Sequence, residues 1–137
     1  MRSAGKLTNL RELEIIGKLD SLMPLPDMPE LRILKITDGE LTRLSGVERF
    51  TKLCNLETDR NNSLEGISPL SSCHLMTHLR LYKMAACDLE PLANLHALRS
   101  LYANKCGIKD ISPLNRLPAL HDVWLSDNPV LDDESGA

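Results

Sequence analysis

The sequence predicts an α/β-type solenoid of six stacked turns, with a parallel β-sheet on the concave face and 3₁₀ or extended segments on the convex face. Three observations predict it: an apolar pattern that recurs about every 22 residues, a strand-like alternation inside each unit, and very little aromatic bulk. The only aromatic rings of the Phe, Tyr and Trp types are Phe50, Tyr82, Tyr102 and Trp124, so a core of this size has to be filled by leucine. Leucine fills a core most readily when a chain repeats one small packing unit.

The period is clearest from Leu95 onward. Leu95, Leu98, Leu101, Ala103, Cys106, Ile108, Ile111 and Leu114 set a spacing that Leu117, Leu120, Val123, Leu125, Asn128 and Val130 then repeat. Upstream, Cys73, Met76, Leu79, Leu81, Met84, Ala86, Leu89 and Leu92 occupy the same slots. The unit from Phe50 runs through Leu53, Leu56, Thr58, Asn61, Leu64, Ile67 and Leu70 with one extra residue, and the unit from Met28 runs through Leu31, Leu34, Ile36, Gly39, Leu41, Leu44 and Val47. The first unit, from Leu7 through Leu10, Leu13 and Ile15 to Leu19, Leu22 and Leu25, is one residue short. Units starting at 7, 28, 50, 73, 95 and 117 follow one another by 21, 22, 23, 22 and 22 residues. The expected organisation is a lead-in over 1–6, six repeats over 7–131 and an acidic tail over 132–137.

Within each unit the last apolar pair alternates with polar residues, so it reads as a short strand with leucines inward. One slot after the strand carries Asn61, Cys106 or Asn128, residue types able to serve backbone groups of the turn. Gly39 and Met84 stand there in the second and fourth turns, which predicts local irregularity in both. The pattern as a whole, with Gly66-Ile67-Ser68-Pro69-Leu70, Leu89-Glu90-Pro91-Leu92 and Asp110-Ile111-Ser112-Pro113-Leu114, resembles the leucine-rich-repeat family in its short, roughly 22-residue class. That class includes the repeat-containing protein phosphatase 1 regulator, the axonemal dynein light chain and the bacterial internalins. The resemblance implies a right-handed coil, and it is specific for fold far more than for function.

Composition narrows the function. A formal charge of −3 without a run of Lys or Arg argues against nucleic acid or an acidic membrane surface. No apolar run approaches the roughly 20 residues of a membrane helix. Cys54, Cys73, Cys87 and Cys106 form no C-x-x-C pair, and Cys73-His74 with His78 is too sparse for zinc, so reduced thiols in the cytoplasm are expected. No phosphate loop or nucleophile elbow is present, and an open curved sheet lacks an enclosed pocket. The expectation is a protein that is not an enzyme and needs no cofactor or metal. With no capping helix before Leu7 and little chain after Val130, it is expected to be a monomer, part of a longer chain, or self-associated through its ends.

The register assigns three outward residues to each strand: Glu12, Glu14 and Ile16; Ile33, Lys35 and Thr37; Asn55, Glu57 and Asp59; His78, Arg80 and Tyr82; Ser100, Tyr102 and Asn104; Asp122, Trp124 and Ser126. Both tyrosines and the tryptophan fall among them. Tyr102 and Trp124 occupy equivalent slots beside Arg80, which predicts a stacked Arg80–Tyr102–Trp124 row flanked by His78 and Tyr82. Glu12, Glu14, Glu57 and Asp59, interrupted by Lys35, present a more acidic surface over the first three turns. The expected partner is therefore a protein, gripped by Tyr82, Tyr102, Trp124, Arg80, His78, Asp122, Glu57, Asp59, Glu14 and Lys35. The competing readings are the recognition domain of a larger enzyme complex, such as a ubiquitin ligase or phosphatase, and a cytoskeletal or axonemal repeat protein. An internalin-like surface protein fits the four cysteines less well, and single-stranded RNA lacks basic support beyond Arg80.

Overall fold

The computed structural model describes residues 7–85 and 87–129. Six strands, β1 (Glu12–Ile16), β2 (Ile33–Thr37), β3 (Asn55–Asp59), β4 (His78–Tyr82), β5 (Ser100–Asn104) and β6 (Asp122–Trp124), form one sheet. They pair in sequence order, all parallel. Short 3₁₀ turns at Val47–Arg49, Ser68–Ser72, Glu90–Leu92 and Ser112–Arg116 lie on the opposite side. This is the predicted solenoid. The 3₁₀ turns begin at Ser-Pro or Glu-Pro in three of four cases, where the missing amide of proline needs no partner.

Alternation along each strand sends one set of side chains inward. On β4, Leu79 and Leu81 are buried while His78 and Arg80 are exposed. Equivalent leucines stack in columns through the coil, as in Leu34↔Leu56↔Leu79↔Leu101. Phe50 is the one ring in the core. At the two ends of the described chain the columns thin out: Leu13 and Ile15 are half-buried, and Val123, in an inward slot, is exposed.

The backbone between strand and convex segment is held by buried side chains that reach into the preceding turn. Asn61 Oδ1 accepts from the Leu41 amide at 3.1 Å, and its Nδ2 donates to the carbonyls of Ile36 and Asp59 at 3.0 Å. Asn128 repeats the arrangement three turns further on: its Oδ1 accepts from the amides of Cys106 and Ile108, and its Nδ2 donates to the carbonyls of Ala103 and Leu125. Cys106 occupies the same slot with half the function. Its thiol lies 3.5 Å from the Leu81 carbonyl and 3.3 Å from that of Asn104, and so serves acceptors as Asn does. Sulfur is a poor acceptor, and the Met84 amide, the counterpart of the Cys106 amide, donates instead to the Lys105 carbonyl.

The expected irregularity of the second turn has a physical cause in Gly39. A Cβ there would stand 2.7 Å from Ile36 Cγ2 and 2.8 Å from Asn61 Oδ1. Glycine leaves room for the Asn61 amide, and its own carbonyl accepts from Leu19, as Asn61 Oδ1 accepts from Leu41. The turn also holds a second left-handed residue, Glu40 (φ 60°). One left-handed residue recurs at the same place in every turn, at Gly17, Asp38, Arg60, Lys83, Lys105 and Asp127. These positions precede the ladder slot and reverse the chain as it leaves the strand. On the convex side, Arg49 ties the first two turns together by donating to the carbonyls of Leu22, Leu25 and Gly46, with its guanidinium 5.2 Å from the Phe50 ring centre.

Of the assignments made from the sequence, the lead-in 1–6, the repeat positions Ala86 and Val130, and the chain beyond Val130 lie outside the described residues.

Four outcomes follow from this packing. Asn61→Ala leaves the buried Leu41 amide without its partner and removes the bonds to the Ile36 and Asp59 carbonyls, of which the latter keeps the Asp38 amide, and lowers stability by about 2 kcal/mol in urea denaturation. Thr58 faces inward with a buried hydroxyl that has no partner, so Thr58→Val raises stability by about 1 kcal/mol. All four cysteines are free thiols. Burial pushes Cys73 and Cys106 up to about 11 and Cys87 up to about 12, from an ordinary 9.0, and the nearby Cys106 and Asp88 add to the shift at Cys87. The fold therefore favours their neutral forms, and stability falls as pH rises from about 9 toward 11, where the unfolded chain ionises first. Maleimide labelling of the native protein at pH 7 marks the half-buried Cys54 alone, and the other three after denaturation.

Candidate functional site

The outward side chains form three parallel rows across the sheet. The pairing register places Glu14, Lys35, Glu57, Arg80, Tyr102 and Trp124 opposite one another in the middle row. Strand spacing of about 4.8 Å brings each within reach of the next. One flanking row holds Glu12, Ile33, Asn55, His78, Ser100 and Asp122; the other holds Ile16, Thr37, Asp59, Tyr82 and Asn104. Ser126 lies beyond the end of β6, where its amide donates to Asn104 Oδ1 at 2.8 Å.

Three of the singled-out residues meet. The rings of Tyr102 and Trp124 stack with centres 6.0 Å apart and planes 8° from parallel, and the Arg80 guanidinium lies 5.8 Å from the Tyr102 ring centre. Neighbouring parallel strands hold equivalent side chains in the same orientation, which is why the rings lie nearly parallel and offset. Trp124 is 56% exposed although large and apolar. Tyr82 does not join this stack; it sits half-buried in the flanking row between Asp59 and Asn104. His78 is exposed, with Nδ1 2.8 Å from Thr77 Oγ1. Asp122 accepts from Ser100 Oγ at 3.4 Å, which helps to bury Ser100 despite its outward direction.

The acidic surface expected over the first turns resolves into an order of signs. Glu14, Lys35, Glu57 and Arg80 alternate along the middle row, while Glu12 and Asp59 stand to either side. Six ion pairs occur among the described residues, at Arg32–Glu30, Arg43–Glu65, Arg49–Asp27, Lys52–Glu30, Arg60–Asp38 and Arg116–Glu90. None uses a charge of the middle row. Arg80, over the Tyr102 ring, makes no hydrogen bond to the protein within the described residues, so its donor edge is open.

Beside Arg80 the sheet has a depression of about 190 Å³, lined chiefly by Asn55, Glu57, His78, Arg80, Ser100 and Tyr102. Asn55 and Ser100 were not singled out from the sequence. Spacing identifies outward positions, but the hollow exists because small side chains at two of them sit between large ones. Among the described residues no group of three His, Cys, Asp or Glu is placed to hold a metal ion, and Glu57 and Asp59 have no third ligand.

Comparison with known proteins agrees with this architecture. A family model described as leucine rich repeats (2 copies) matches residues 96–136. The crystal structure of an internalin, InlF, from Listeria monocytogenes superposes with a TM-score of 0.72 at 32% identity, covering 83% of this chain and 33% of that one. Internalin C2 from the same organism gives a TM-score of 0.68 at 28% identity, covering 93% of this chain and 68% of that one. The chain thus spans about a third of the first internalin's length. No curated protein matches it in sequence. Six units in one register, six parallel strands in one open sheet and the likeness to these solenoids together establish that the chain is a leucine-rich-repeat protein.

Proposed function

We propose that the protein is a non-catalytic interaction module that holds a protein partner on its concave sheet, as an adaptor or regulatory subunit, with Tyr102 and Trp124 at the centre of the contact. Leucine-rich-repeat domains in general bind proteins, and the finer assignment rests on one observation: an exposed Trp124 stacked on a half-buried Tyr102, beside an arginine that has no ion pair among the described residues. Such rings offer large apolar area at low ordering cost, and residues of these types dominate binding energy where they occur at interfaces. His78, Tyr82 and Asp122 lie nearest the rings, and Glu57, Asp59, Lys35 and Glu14 carry the polar part of the same contact across the sheet toward β1. A partner of ordinary interface size would cover about 800 Å² of this surface.

A second reading has its own support. The chain covers only a third of one internalin and about two thirds of another, which fits a recognition segment within a larger protein or enzyme complex. The four unpaired thiols support a reducing, cytoplasmic setting for either reading.

Affinity capture from an extract of the source cells, with wild type and the single variants Trp124→Ala and Tyr102→Ala side by side, tests the site. Each variant lowers the affinity of the retained partner by at least about 30-fold, equivalent to about 2 kcal/mol, at unchanged thermal stability. A partner held equally by all three proteins places the contact elsewhere.

A further inference from the structure

We infer that the partner element lying on the middle row is an α-helix whose exposed stripe reads basic, acidic, basic, acidic, apolar, apolar from β1 to β6. The inference rests on the concave-face reading above and adds the chemistry and shape of what it holds.

The first argument is spacing. The six middle-row side chains step across the sheet at about 4.8 Å per strand, roughly 24 Å in all. A helix lying along that direction presents one residue per turn, about every 5.4 Å. Centred on the row, its outermost side chains miss their partners by about 1.5 Å, within the reach of Glu, Lys and Arg. An extended strand shows every second residue at about 6.7 Å, and its ends fall nearly a full row out of place.

The second argument is charge. Glu14, Lys35, Glu57 and Arg80 alternate in sign, and none is within 4 Å of an opposite charge among the described residues, although six pairs form elsewhere. An alternating row repels a uniformly charged ligand such as a polyphosphate at every second step. A helix with the complementary order meets attraction at all four. The third argument is local. Arg80 is oriented by Tyr102 and borders a hollow of about 190 Å³ with the polar groups of Asn55, His78 and Ser100 around it. A glutamate from the helix can enter there and accept from the guanidinium edge, while the next two turns set aliphatic side chains on Tyr102 and Trp124.

Trp124 is the only tryptophan of the chain, so its fluorescence reports occupancy directly. The probes are alanine-based helical peptides carrying Arg, Glu, Arg, Glu, Leu and Leu at positions 1, 4, 8, 11, 15 and 18, the same peptide with all four charges inverted, and both with the order reversed along the chain. In one of the two directions the complementary peptide binds at least about tenfold more tightly than its inverted form, and 0.5 M salt removes most of the difference. The double variant Glu57→Arg with Arg80→Glu, which keeps the net charge, moves the preference to a peptide with positions 8 and 11 exchanged. Equal binding of complementary and inverted peptides in both directions, or no response of Trp124 to any of them, overturns the inference. If that happens while Trp124→Ala still releases the natural partner, the concave-face site stands and only the helix and its charge order fall.

Discussion

An open coil has to satisfy, turn by turn, the backbone groups left over where each strand bends away. In this protein that task falls on one slot per turn. Asn61 and Asn128 do it with both ends of a carboxamide, taking amides and supplying carbonyls of the neighbouring turn from a fully buried position. Cys106 covers the carbonyl half, and the backbone itself covers the rest at Met84 and Gly39. Because the bonds of Asn61 to Leu41 and Ile36, of Asn128 to Cys106, Ile108 and Ala103, and of Cys106 to Leu81 cross to the preceding turn, the slot fixes the stagger between turns, and the stagger fixes which strand residues stand opposite one another.

The functional surface inherits that stagger. Glu14, Lys35, Glu57, Arg80, Tyr102 and Trp124 come from six units separated by more than a hundred residues of chain, yet they form a single line because each occupies the same place in its turn. A shift of one residue in any turn would bury its outward side chains and expose its leucines. The extra residue of the third unit and the missing one of the first are absorbed outside the strands, so the line is unbroken. Rigidity of the site comes from the same source: Tyr102 and Trp124 project from paired backbone, and their stacking requires no loop to settle.

The gradient of burial along the coil bears on how the surface is presented. The central turns are closed on both sides by neighbours, whereas Leu13, Ile15 and Val123 in the end strands retain exposure in inward slots. Trp124 lies on β6, the last strand among the described residues, and is exposed on the side away from Tyr102 only as far as those residues reach.

The repeat, the six strands, the inward leucines and the stacked Arg80–Tyr102–Trp124 row were all legible in the sequence, because a solenoid converts residue spacing directly into position in space. The role of Asn61 and Asn128 was legible for the same reason. Tertiary structure alone decided the rest. That Tyr82 stands apart from the ring pair, that Ser100 is buried under its neighbours, and that a hollow opens beside Arg80 depend on the sizes and rotamers of side chains from three adjacent turns. The alternation of Glu14, Lys35, Glu57 and Arg80 was present in the register but acquired meaning only once their separation from the counter-charges among the described residues was visible, since spacing orders side chains and only coordinates show which of them touch.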